Sequence, residues 1–93
     1  MIRGFKCRDT EKVFSYQRTL AWSESVRKAA LRRLYALDAA TNLLDLRSPP
    51  SNRLEKLHGE RAGQYSIRIN DQWRICFEWR DGHAWNVEIV DYH

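Results

Sequence analysis

Apolar and polar positions alternate most regularly in the second half of the chain. Tyr65, Ile67 and Ile69 are interleaved with Ser66 and Arg68, and Trp73, Ile75, Phe77 and Trp79 with Arg74, Cys76 and Glu78. Trp85, Val87 and Ile89 repeat the period. Period-two alternation is the mark of a strand with one face buried, so these runs predict three strands in an antiparallel meander. Asn70-Asp71-Gln72 joins the first two, and a turn around Arg80-Asp81-Gly82-His83 joins the last two. Upstream, Ile2 to Cys7 also alternates and reads as a short strand. A short helix is expected from Asp9 or Thr10, with Val13, Phe14 and Tyr16 inward. Ser23 then caps a long helix whose apolar face runs Val26, Ala30, Leu34, Leu37, Thr41, Leu44. Pro49-Pro50 forbids its continuation, placing its end near Leu46. Residues 47–64 are irregular and turn-rich, with a short strand expected around Leu54–Leu57. This order predicts an α+β fold, a small antiparallel-rich sheet with two N-terminal helices packed on one face, in a single domain over residues 1–93.

Side-chain parity adds a functional expectation. If the apolar residues of the three strands share the core face, each hairpin loop must hold an odd number of residues. A loop at Asn70-Asp71-Gln72 pairs Ile69 with Trp73, Arg68 with Arg74 and Ile67 with Ile75. Continuing through an odd second loop pairs Trp79 with Trp85, Phe77 with Val87 and Ile75 with Ile89. Arg68, Arg74 and Tyr92 then share the outer face, while Asp91 and His93 point formally the other way. Directly opposed arginines are unfavourable in a sheet unless they are solvated or an anion lies between them. The pattern leaves both open: an ordinary solvated face, or a phosphate-binding one.

Charge leans toward the second. Lys+Arg outnumber Asp+Glu by 16 to 12, a formal net charge of +4, which favours an anionic partner. Most of the basic residues are arginine, suited to bidentate phosphate contact. Arg53, Lys56, His58 and Arg61 make the irregular stretch basic. Cys7 and Cys76 lack metal-ligand spacing; one disulfide is conceivable, but with no apolar leader after Met1 two reduced thiols in a cytoplasmic protein are expected. No apolar run is long enough for a membrane helix, so no membrane partner is expected. His58, His83 and His93 have no acid or cysteine at ligand spacing, so neither a metal nor another cofactor is expected. The last residues, Asp91-Tyr92-His93, combine an acid, a phenol and an imidazole, which together offer proton transfer near neutral pH and a surface on which a base can stack.

The segments Asn52-Arg53-Leu54-Glu55-Lys56-Leu57 and Gly59 to Phe77, the latter containing Ile69-Asn70-Asp71-Gln72-Trp73-Arg74-Ile75, together with the closing Val87 to His93, resemble HigB toxins of the RelE/ParE superfamily of bacterial toxin–antitoxin systems. The resemblance covers essentially the whole chain and implies a RelE-like fold. It implies a ribosome-dependent, metal-independent mRNA endonuclease that cuts A-site codons by attack of the 2′-hydroxyl on the adjacent phosphate. Carried over by position, Arg74 would hold the scissile phosphate, Asp91 and His93 would transfer protons or orient substrate, and Tyr92 would stack on a base or contact phosphate. Arg53, Lys56, Arg61 and Arg68 are the expected RNA contacts. One stretch departs from the pattern. Where some relatives carry histidine, proline, leucine and lysine before the glycine, this chain reads Glu55-Lys56-Leu57-His58-Gly59. Glu55 stands at the histidine position and His58 at the lysine position. Either His58 takes over part of the proton chemistry, or catalysis is weaker than in those relatives.

The resemblance also implies partners: a HigA-like antitoxin with a helix-turn-helix domain, operator DNA reached only through that antitoxin, and the ribosome with its mRNA. Competing readings are a ParE-like toxin acting on DNA gyrase, a non-catalytic RNA- or ribosome-binding module, and a purely structural partner protein. The Asp91-Tyr92-His93 ending argues against the gyrase reading.

Overall fold

A computed structural model describes residues 1–91. Its helices are α1 (Arg8–Phe14) and α2 (Glu24–Ala39), and its sheet comprises β1 (Glu55–Lys56), β2 (Gln64–Arg68), β3 (Trp73–Arg80) and β4 (His83–Asp91). The strands are antiparallel in the order β1-β2-β3-β4. Both helices pack on one sheet face. Val13 from α1 and Ala30, Leu34 and Leu37 from α2 meet Ile67, Ile69, Ile75, Phe77, Ala84, Val87 and Ile89 in one buried cluster. The α+β expectation, with two N-terminal helices on an antiparallel sheet, is met.

Helix α2 starts as the sequence predicts. The Ser23 hydroxyl accepts a hydrogen bond from the Val26 amide and satisfies one of the first-turn donors. It stops short of Leu46, however. Asn42 and Asp45 form a capping box, with Asp45 Oδ2 accepting from the Thr41 and Asn42 amides. These short polar side chains offer the backbone a better local alternative than another helical turn. A separate 3₁₀ turn, Leu43–Arg47, follows. Leu46 is thereby buried, and Leu44 is turned to solvent instead of the core. Tyr16, expected inside, lies 75% exposed just past α1, at a positive φ of 60°.

The N-terminal segment is not a full strand. It runs beside β4 through isolated parallel bridges, Ile2 to Ala84 and Phe5 to Val87. Arg3 and Lys6 donate to the Ala84 and Val87 carbonyls, while the Met1 and Gly4 carbonyls accept from the Ala84 and Val87 amides. The next outward amide, Ile89 N–H, is taken by the buried Thr10 hydroxyl at 3.0 Å. The sheet edge is thus closed without a further strand. Thr10→Val preserves shape but leaves that amide buried and unpaired. The expected loss is about 1–3 kcal/mol in a urea unfolding curve, with cleft geometry unchanged; a loss under about 0.3 kcal/mol would contradict this role.

The first hairpin has the expected register, Ile67 opposite Ile75 and Arg68 opposite Arg74. The second does not begin as expected. Arg80 pairs directly with His83 across Asp81-Gly82, both at positive φ, the hairpin turn that matches strand twist. Trp79 therefore faces Ala84, and Trp85 pairs with Glu78 on the outer face, where the Arg80 guanidinium covers its ring. A β-bulge then corrects the parity. Asn86, at φ 52°, is the extra residue, and beyond it Cys76 pairs with Glu88 and Ile75 with Ile89. Asparagine tolerates the left-handed conformation better than most residues, which suits it to that position.

Candidate active site

The outer face of the sheet is not an open solvated surface. Ser66, Arg74 and Cys76 are buried there. The cover comes from the turn Pro50–Asn52, which packs against β2. Asn52 is buried at its centre, and its amide nitrogen donates to the Leu46 and Ser48 carbonyls. Arg53 follows in the left-handed conformation, at φ 44°, a geometry that costs a non-glycine residue roughly 1–2 kcal/mol.

Arg74 is only 6% exposed, and a buried guanidinium must be paired and hydrogen-bonded. Its Nε donates to Ser66 Oγ at 2.8 Å, and its Nη2 donates to the Arg53 carbonyl at 2.6 Å. Its Nη1 stands 3.9 Å from Glu55 Oε1. The guanidinium plane is therefore fixed by a cross-strand hydroxyl and by the turn at Arg53. That second role of Arg53, through its carbonyl rather than its charge, has no signature in the sequence.

Arg74 forms part of the wall of a polar cleft of about 250 Å³, together with Arg53, Glu55, Arg68, Asn70 and Asp71. Three arginines against two carboxylates leave the cleft with a net positive charge. The opposed Arg68–Arg74 pair is accommodated because each guanidinium has its own acceptors. Arg68 is ion-paired with Asp71, and Arg74 has the partners just described. Arg33, on α2, donates from Nε to the Arg68 carbonyl at 3.2 Å. Burial, then the charges of Arg32 and Arg68, hold its pKa below the usual arginine value.

The remaining candidates divide. Asp91 ends β4 opposite Trp73, on the parity opposite to Arg74, and its Oδ2 accepts from Gln72 Nε2 at 3.1 Å. Tyr92 and His93 lie outside the described residues. Lys56 pairs with Tyr65, so alternation sends it to the face opposite Glu55. His58 is exposed and precedes the 3₁₀ turn Gly59–Arg61 without lining the cleft. Arg61 bonds to Gln64 and Glu88, and Glu88 also pairs with Lys6. The structure therefore gathers Arg53, Arg68 and Arg74, and keeps Lys56, His58 and Arg61 off the cleft wall. It adds Glu55, which the sequence presents only as a departure from the family pattern; its signal was its place in a strand next to Ser66.

Cys7 and Cys76 are both free, and burial pushes the Cys76 thiol pKa up, keeping it protonated and unreactive. Among the described residues no cluster of His, Cys, Asp or Glu could hold a metal ion, and no helix is long and apolar enough to cross a membrane.

Known proteins resemble this chain in sequence and in fold. Toxin HigB-1 of Vibrio cholerae is 50% identical over 65 residues, covering 70% of this chain and 68% of its own. Endoribonuclease HigB of Proteus vulgaris is 31% identical over 96 aligned positions, covering 100% of both chains. The YoeB-YefM complex from Staphylococcus aureus aligns with a TM-score of 0.63 at 19% identity, covering 100% of this chain and 98% of that one, a likeness of fold. A family profile described as "RelE-like toxin of type II toxin-antitoxin system HigB" matches residues 3–93. The chain belongs to the HigB-like family of RelE-fold toxins from type II toxin–antitoxin systems.

Proposed function

We propose that this toxin is an endoribonuclease that cuts mRNA on the ribosome, at codons in the A site, by attack of a 2′-hydroxyl on the adjacent phosphate. One observation carries the reading. A buried guanidinium, Arg74, is locked by Ser66 and the Arg53 carbonyl and faces a cleft lined by two further arginines. Such donors, fixed before substrate arrives, stabilise charge that develops on a phosphorane-like transition state without reorganising. The relative named an endoribonuclease supports the same activity. Asp91 sits at the end of β4, followed in sequence by Tyr92 and His93, which this reading assigns to base stacking and proton transfer.

The partners follow. The antitoxin is HigA-like, with a helix-turn-helix domain that carries the pair to operator DNA. The basic surface contacts ribosomal RNA, with affinity that falls as salt rises. The chemistry needs no cofactor.

Controlled expression of the wild type, of Arg74→Ala and of a chain lacking His93, with genome-wide mapping of mRNA 5′ ends, tests the reading. Cuts within translated codons are expected for the wild type and lost in both variants. Growth arrest with intact mRNA in all three would refute it and point to a protein target such as DNA gyrase.

A further inference from the structure

The Asn86 bulge lets β4 return Val87 and Ile89 to the core while Trp85 stays on the outer face, the face that carries Arg74. A left-handed asparagine in mid-strand is unfavourable backbone, and such positions recur where a side chain has to be aimed. The side chain aimed outward is a half-buried indole. Its pairing with Arg80 is held at several joints. Trp85 Nε1 donates to the Arg80 carbonyl at 3.3 Å, and the Arg80 guanidinium lies over the indole, 4.7 Å from the ring centroid. Glu78 Oε1 stands 3.8 Å from Arg80 Nε, and Glu78 Oε2 accepts from Asn86 Nδ2 at 2.7 Å. The bulge residue thus holds the carboxylate that holds the guanidinium. Exposed ion pairs and cation–π contacts add little stability. What the network does is present a flat cation, its side chain 57% exposed, in a position set before any ligand arrives.

Arg74 and Arg80 share one face of β3, about 20 Å apart along the strand. Between them Glu88 is paired with Arg61 at 3.3 Å and with Lys6 at 3.5 Å. Lys6, Arg61 and Arg80 outnumber Glu78 and Glu88 on this stretch. A single strand leaving the cleft along the sheet therefore crosses a net positive surface on its way to Arg80. Resting on the ribonuclease reading above, we infer that the Arg80–Trp85 pair is a second RNA subsite, a platform on which a base of the mRNA stacks a few nucleotides from the cut. Trp85 backs the guanidinium on one side and the base closes on the other. Glu78 beside the guanidinium disfavours a phosphate at this point, which leaves stacking as the contact. Every base has a π-face, so the platform lengthens the grip on substrate without adding a sequence preference.

Binding is measured on ribosomes programmed with an mRNA that carries a 2′-deoxy nucleotide at the cleaved position. Single abasic nucleotides are placed at successive positions on both sides of the cut. The toxins compared are the wild type, Arg80→Ala and Arg80→Lys, the last keeping the charge and losing the plane. For the wild type, one position is expected at which removing the base weakens binding about 10-fold or more. Both variants are expected to bind the intact mRNA weaker by a similar factor and to lose their sensitivity at that position, with unchanged melting temperatures. A lysine variant that binds like the wild type would overturn the inference, since charge alone would then suffice. So would variants whose loss is the same at every abasic position, which would place the contact on ribosomal RNA or protein. If the wild type leaves a cleavable mRNA intact, the ribonuclease reading falls and this inference with it. Wild-type cleavage with Arg80 variants that bind normally removes the inference alone.

Discussion

Arg74→Ala is expected to lower mRNA cleavage by about 10³-fold, the upper range for removing a transition-state donor from a prepared site. The loss has two sources. The first is the positive charge on the cleft wall, set among Arg53 and Arg68. The second is positional, since the Ser66 hydroxyl and the Arg53 carbonyl lose the donor that both accept from. Leaving the buried Ser66 hydroxyl without that donor costs roughly 1–3 kcal/mol of stability, so thermal melts belong beside the kinetics. Arg74→Lys separates the sources. A lysine keeps the charge but is a single point donor that cannot bond Ser66, reach Arg53 and face the cleft at once. Most of the activity is therefore expected to vanish in the lysine variant as well, with a smaller change in melting temperature. A lysine variant within about threefold of wild type would mean that charge alone suffices and that the clamp on Arg74 is irrelevant to function.

Phe77→Ala is expected to be the most destabilising single truncation, costing about 3–5 kcal/mol. Phe77 is fully buried at the centre of the sheet, between Tyr65 on β2 and the bulge on β4. Its ring meets Tyr65 at 6.2 Å and Trp79 at 6.4 Å between centroids. Removing it opens a cavity against residues that also set the register of the bulge. A domain of this size holds only about 5–15 kcal/mol in total, so a fall in melting temperature of roughly 15–30 °C follows. Tyr16→Ala, at an exposed ring, makes the natural comparison, with an expected change within about 0.5 kcal/mol. Urea unfolding of both variants decides the matter, and a Phe77→Ala loss below about 1 kcal/mol would contradict this account of the core.

The parts of the fold that were legible in the sequence are those governed by a single period. Ile67, Ile69, Ile75 and Phe77 alternate cleanly, so the first hairpin and the Arg68–Arg74 pairing could be read directly. Helix α2 was legible to the point where Asn42 and Asp45 compete for the backbone, because periodicity does not register capping. The second hairpin misled for a related reason. Trp85, Val87 and Ile89 look like one alternating face, but the tight Asp81-Gly82 turn moves Trp85 out and Asn86 absorbs the mismatch. A bulge is invisible to parity, yet it restored the expected Ile75–Ile89 pairing.

The site was legible as a set of arginines and illegible as an environment. Parity placed Arg68 and Arg74 on one face. It could not show that residues 50–53 fold over that face, bury Arg74 and turn a backbone carbonyl toward it. That cover depends on Asn52 and on a left-handed Arg53, both long-range consequences of packing. The place of Glu55 was illegible for the same reason. In the sequence it is one more charge in an irregular stretch, whereas in the fold it stands on the cleft wall 3.9 Å from a fixed guanidinium.

The chemistry of the cut ends tests the central claim most directly. Programmed ribosomes are incubated with the toxin, and the fragments are analysed by mass spectrometry. Attack by the 2′-hydroxyl in an arginine-lined cleft predicts an upstream fragment ending in a 2′,3′-cyclic phosphate and a downstream fragment starting with a 5′-hydroxyl. Fragments with a 3′-hydroxyl and a 5′-phosphate, or mRNA that stays intact, would contradict it.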